Sequence, residues 1–205
     1  MPERILQRMS ARQGHYLLES GHHGDLWLDL ESLCLQPQPA RDLAFELADS
    51  ISASRREIDV VCGPLVEGAF VGLLAALRLN THFVYSERFM RPIAGGLFPA
   101  EYKVPATLRE GLRGKRVAIV NDVINAGSAV RGTFFDLEEC GATIVAIGAL
   151  LILGNAISEF ARSRRVGLIS LATLPNHLWT PADCPLCASG ILLEDIGGFA
   201  GPRAG

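Results

Sequence analysis

The densest chemistry in the sequence lies between Val117 and Arg131, VAIVNDVINAGSAVR. An apolar run ends there in an amide and a carboxylate, Asn121 and Asp122. A small-residue turn follows, Asn125-Ala126-Gly127-Ser128-Ala129. Small side chains let an anion approach backbone N–H groups, and the start of a helix adds partial positive charge. A carboxylate next to such a cradle can accept hydrogen bonds from ligand hydroxyls. Together these groups suit a sugar phosphate. On local features alone, a plain strand–turn–helix capped at Ser128 explains the small residues equally well.

A second turn, Gly63-Pro64-Leu65-Val66-Glu67-Gly68, could present backbone amides to a diphosphate, although a buried turn between strand and helix explains its glycines as well. Cations collect in residues 88–114, where Arg88, Arg91, Lys103, Arg109 and Arg113 stand among Pro92, Gly95, Gly96, Pro99 and Pro105. Any one of them is more often solvated surface charge than a catalytic group. Cys184 and Cys187 form a C-x-x-C, but no second cysteine pair stands at zinc-ligand spacing, which favours a reduced structural turn over a metal site. The adjacent His22 and His23 point to different sides and lack a carboxylate pattern, which argues against a metal role. Trp27 and Trp179 read as packing residues.

These groups need a scaffold. Leu43, Leu47 and Ile51 recur every four residues after Pro39, which predicts an amphipathic helix. Ile58 to Gly63, His82 to Ser86 and Lys115 to Asp122 read as strands, and Glu67 to Leu79, apolar nearly all round, as a buried helix. Val130, Phe134 and Leu137 share one face of a helix stopped at Gly141. TIVAIGALLIL and VGLISLA are further buried strands around a helical segment, Ala156 to Arg164. Alternating strands and helices predict βαβ units and a parallel sheet, whose C-terminal edge is where ligands bind. Residues 88–114 show no periodicity and read as one long functional loop.

The 205 residues bound the function classes. Hydrophobic residues at 49% and charged residues at 20% exclude a disordered chain. A net charge of −3 gives no general field for nucleic acid. Five cysteines, an odd number in mostly apolar segments, suit a reducing compartment. The N-terminus lacks a signal-peptide core, and the most apolar stretch, Ile144 to Leu153, falls far short of the ~20 residues of a membrane helix. A cytoplasmic protein without membrane attachment is expected. No G-x-G-x-x-G follows a predicted strand, so a dinucleotide-dependent oxidoreductase is excluded.

The segment Asn121 to Ala129 resembles the phosphoribosyl-pyrophosphate signature of the type I phosphoribosyltransferases, with Asn121 in place of the first acid and Asn125 in place of the usual threonine. GHYLLESGHHGDLWLDL near the N-terminus, the turn Gly63–Gly68, FVYSER (83–88) and the ending TPADCPLCASGILLEDIGG resemble, in order, segments of the orotate-using branch of that family.

The resemblance implies one domain, 1–205, with a five-stranded parallel sheet flanked by helices. A small N-terminal hood (roughly 1–36 plus the C-terminal tail) and a mobile loop (roughly 88–114) would complete it. It implies transfer of ribose 5-phosphate from phosphoribosyl pyrophosphate to a nitrogen base, an orotate-type pyrimidine, by a homodimer using Mg2+ held through the substrate rather than by direct protein ligands. In that scheme Asn121, Asp122 and Asn125 to Ala129 bind ribose and 5′-phosphate, and Gly63 to Gly68 bind pyrophosphate. Ser20, Gly21, His22 and His23 line the base pocket, and Asp122, Lys103, Arg88 and Arg91 act in catalysis. A regulatory member of the same fold, binding these ligands without turnover, is the alternative that Asn121, Asn125 and Glu19 keep open. Relatives also carry an arginine for the orotate carboxylate after the strand that follows the signature helix, and Leu151 to Asn155 contain none.

Overall fold

The computed structural model describes residues 5–7, 9–35, 37–90 and 100–199. Strands β1 (Ser10–Leu17) and β2 (His23–Asp29) open the chain as an antiparallel pair, with Leu17 opposite His23 and a register shift between Gln13 and Tyr16. A short helix, α1 (Glu31–Cys34), leads into α2 (Pro37–Ala53). Helix α2 starts at Pro37, where a missing N–H costs nothing in the first turn, and it buries Leu43, Leu47 and Ile51.

The frame that follows is β3 (Val60–Pro64), α3 (Glu67–Leu79), β4 (His82–Met90), β5 (Ala100–Lys103), α4 (Ala106–Arg109), β6 (Arg116–Ile124), α5 (Ser128–Glu139), β7 (Thr143–Leu153), α6 (Ala156–Ser163) and β8 (Gly167–Leu174). The sheet order is β5-β4-β3-β6-β7-β8. Strands β4, β3, β6, β7 and β8 are mutually parallel, which is the five-stranded core the sequence predicts. A sixth strand is added: β5 returns antiparallel beside β4, with Glu87 opposite Lys103.

Alternate residues of the central strands serve opposite faces. Ala118 and Val120 of β6 pack with α2 and α3, whereas Val117 and Ile119 pack with Val130, Phe134 and Leu137 of α5 and Ile157 of α6. Burial on both faces is why these strands read as continuous apolar runs.

Two expectations need correction. Residues 88–114 are not one element-free loop. They hold the end of β4, β5, α4 and a 3-10 turn at Glu110–Leu112, and 91–99, with Arg91, lie outside the described residues. Helix α3 is not buried all round. Its small residues meet the sheet, while Phe70, Leu73 and Leu77 are 48%, 51% and 69% exposed, with Val66 at 54% just before them.

The second, smaller sheet has the order β1-β2-β9, where β9 is Leu178–Trp179. The tail beyond it, including α7 (Pro185–Ala188), returns to β1: Leu17 N donates to Glu194 O at 2.9 Å and Glu194 N to His15 O at 2.8 Å. No helix among the described residues is long and apolar enough to cross a membrane.

Candidate active site

Asp122 sits near the end of β6, only 3% exposed, and its Oδ2 has no hydrogen-bond partner among the described residues. Burial pushes its carboxyl up to about 7, with the charge of Glu67 adding to the rise and the Val123 N–H opposing it. Asn121, beside it, turns its amide to structural use. Nδ2 donates to Val123 O at 2.8 Å, and Oδ1 lies so close to Gly68 that a Cβ there would overlap it.

That contact joins the two predicted cradles. Gly63 can only be glycine, because a Cβ would come within 2.6 Å of Ala69 Cα and Gly68 O. Gly68 is required by Asn121, as above. Leu65 N is fixed to Ser86 O at 2.9 Å, and the Leu65–Val66 peptide is cis. Pro64 is buried, Val66 exposed, and Glu67 at the start of α3 is half-buried.

The turn after β6 has the geometry its small residues predict. Gly127 adopts φ 83°, ψ 23°, a left-handed conformation, and α5 starts at Ser128 without a side-chain cap. The first N–H groups of a twelve-residue helix therefore have no cap from a side chain. Ala126 and Ser128 are buried and Ala129 half-buried. Asn125 Oδ1 accepts from Asn176 Nδ2 at 2.7 Å, so the residue in the threonine position is held by the segment after β8.

The charged side chains around residues 88–114 separate into distinct environments. Arg88 Nε lies 3.1 Å from Glu19 Oε1, and the Tyr102 hydroxyl donates to the same oxygen at 2.5 Å. Burial, reinforced by Glu19, raises the tyrosine hydroxyl well above its ordinary value. Lys103 is half exposed, 4.0 Å from Glu101. Arg109 is anchored instead, with Nη1 2.8 Å from both oxygens of buried Asp136, which also accepts from Val104 N.

Ser20 is buried, Gly21 has φ 79°, and His22 Nδ1 lies 3.0 Å from Ser20 Oγ. Burial and then the field of Arg131 hold His22 below its ordinary value, favouring the neutral ring. Arg131 was not singled out by sequence reasoning. Its Nη2 donates to Ala156 O at 2.9 Å, with the guanidinium 4.9 Å from the Phe160 ring centre. His23 leaves the base-pocket group. Its Nδ1 lies 3.1 Å from His15 Nε2 and 3.3 Å from Cys187 Sγ, on the side of the C-terminal tail. The C-x-x-C is therefore not an isolated turn.

No protein-family model matches the chain. Orotate phosphoribosyltransferase of a Nitratiruptor species is 31% identical over 201 residues, covering 92% of this chain and 93% of that protein. That of Helicobacter pylori is 30% identical over 197 residues, covering 89% and 90%. Among solved structures, orotate phosphoribosyltransferase from Aeropyrum pernix has a TM-score of 0.61 at 24% identity, covering 85% of this chain and 94% of that one. Adenine phosphoribosyltransferase from Thermoanaerobacter pseudethanolicus has a TM-score of 0.64 at 17% identity, covering 85% and 100%. The structural likenesses show the shared fold. The sequence matches, spanning nearly the full length of their partners, place this chain in the orotate phosphoribosyltransferase family of the type I phosphoribosyltransferases.

Proposed function

We propose that the chain transfers ribose 5-phosphate from phosphoribosyl pyrophosphate to a ring nitrogen of orotate. The observation that carries this reading is Asp122, a buried carboxylate with an unpartnered oxygen, set beside the Gly127 turn and joined to the Gly63–Gly68 turn through Asn121. The N–H groups of Asn125 to Ala129 hold the 5′-phosphate. Asp122 accepts from the ribose hydroxyls, Gly63 to Gly68 cradle the pyrophosphate, and Ser20 to His22 meet the base. The C1′–oxygen bond breaks, pyrophosphate departs with the electron pair, and the base nitrogen bonds C1′ and gives up its proton.

The sugar becomes cation-like on the way, so positioning and electrostatics carry the rate. Arg88, Arg91 and Lys103 are assigned to the charge that develops on the pyrophosphate. Mg2+ held through the substrate rather than by protein ligands would supply further charge neutralisation there. Val66, Phe70, Leu73 and Leu77, spaced as on one face of α3, support a homodimer through that face. Five free cysteines support a reducing, cytoplasmic setting.

The test is pyrophosphate release by purified protein with phosphoribosyl pyrophosphate, Mg2+ and orotate. Turnover is expected only with all three present, and Asp122→Asn is expected to lower it by roughly 10²–10³-fold. Tight binding of phosphoribosyl pyrophosphate with no turnover would identify a regulatory protein instead.

A further inference from the structure

Four side chains far apart in the sequence converge where the tail meets the small sheet. His15 comes from β1 and His23 from β2, while Cys184 and Cys187 flank the start of α7 and lie within it. One ligand atom from each lies within 4.8 Å of all the others. His15 Nε2 is 3.1 Å from His23 Nδ1, 3.3 Å from Cys184 Sγ and 3.8 Å from Cys187 Sγ, and Cys187 Sγ is 3.3 Å from His23 Nδ1. Zinc bonded at about 2.0–2.1 Å to nitrogen and about 2.3 Å to sulfur spaces tetrahedral ligand atoms roughly 3.3–3.8 Å apart. The observed separations bracket that range.

Hydrogen bonding alone does not satisfy this cluster. His15 Nδ1 lies 2.9 Å from Ile191 O, a carbonyl that only accepts, so Nδ1 holds the proton and Nε2 presents one lone pair. Three groups crowd that lone pair, which can accept one good hydrogen bond. A cation at the centre would use all four lone pairs at once. The Ile191 carbonyl then does what outer partners of metal-bound histidines do, fixing the tautomer and the ring. His15, His23 and Cys184 are buried and Cys187 is exposed, so the centre is shielded while one side remains open for metal entry.

We propose that His15, His23, Cys184 and Cys187 bind one tetrahedral Zn2+. Four protein ligands leave no open position, so the site is structural rather than catalytic. Both thiols ionise on binding, releasing two protons and leaving a centre with no net charge. The ion would clamp the tail to both strands of the hairpin whose connecting loop holds Ser20 and His22.

The test uses the full chain and does not depend on the transferase reading. Protein purified under reductant from zinc-supplemented cells is expected to carry about one zinc per chain. After stripping with a chelator, titration with Co2+ alone is expected to give the strong visible bands of a tetrahedral site and a sulfur-to-cobalt charge-transfer band, both abolished by added zinc. Cys187→Ser is expected to weaken cobalt binding by at least ~10-fold and to diminish the charge-transfer band, whereas Cys140→Ser leaves both unchanged. A weak octahedral cobalt spectrum, or a charge-transfer band undiminished by Cys187→Ser, overturns the proposal. So does metal-free protein in which peptide mapping finds Cys184 joined to Cys187 by a disulfide. If Cys187→Ser fails to fold, the wild-type zinc content and cobalt spectrum decide.

Discussion

The side-chain nitrogen of Asn121 donates to the carbonyl of Val123 at 2.8 Å, bridging over Asp122. Its oxygen meanwhile lies against Gly68. On sequence alone Asn121 is a missing acid, and restoring it would be expected to speed turnover. The geometry reverses that expectation. An aspartate here would face the Val123 carbonyl with a second acceptor and set another negative charge beside Asp122. Asn121→Asp is expected to lose about 1–3 kcal/mol of stability and to turn over more slowly than wild type. Urea unfolding and steady-state rates check both.

Asp122 makes stability and activity respond to pH in opposite directions. Its carboxyl is neutral in the folded chain up to about 7 but ionises near 3.8 when unfolded. Between those values the folded state binds the extra proton, so stability falls as pH rises, by up to about 1.4 kcal/mol per unit. Binding the ribose hydroxyls needs the carboxylate, so kcat/KM is expected to climb through the same window. Asp122→Asn should flatten the stability profile between about pH 4 and about pH 7. A wild-type profile that is flat there would remove the basis for this pairing.

Gly127 tests the phosphate turn. Valine at φ 83° is strained by roughly 1–2 kcal/mol, and its Cβ would come 3.1 Å from Ile157 Cδ1. Gly127→Val is expected to keep the fold, by circular dichroism, and to lose phosphoribosyl-pyrophosphate binding by calorimetry. Retained affinity in the folded variant would move the phosphate elsewhere.

The orotate carboxylate needs a cation, and Leu151 to Asn155 provide none. We propose Arg131, whose field reaches His22, for that role. A charge-assisted bond of about 1.5–3 kcal/mol predicts that Arg131→Ala raises the orotate KM by roughly 10- to 150-fold. The KM for phosphoribosyl pyrophosphate should change far less. Equal losses for both substrates would point to a general collapse of the turn.

Legibility in the sequence followed the range of the forces involved. The five parallel strands are continuous apolar runs because both faces are covered, so Val117 to Val120 and Ile144 to Leu153 identify themselves. The Gly127 turn is equally local. Strand β5 is not, because its four residues are strand only through pairing with Glu87 to Met90. The outer face of α3 was hidden because Phe70, Leu73 and Leu77 are as apolar as core residues. Glu19, Arg88 and Tyr102 meet at one carboxylate oxygen from three separate segments, and His15 meets Cys184 across 169 positions. No spacing rule reaches that far.

The pairing of Tyr16 with Glu194 sets an order of events during synthesis. The hairpin β1–β2 is made long before its third strand, Leu178–Trp179, and before Glu194, to which β1 bonds. Contacts this distant close late and slowly. The nascent hairpin must therefore wait, unpaired along both edges, while the parallel sheet is assembled. Such exposed edges are where chains associate wrongly, so the hairpin stays open to mispairing until the tail arrives.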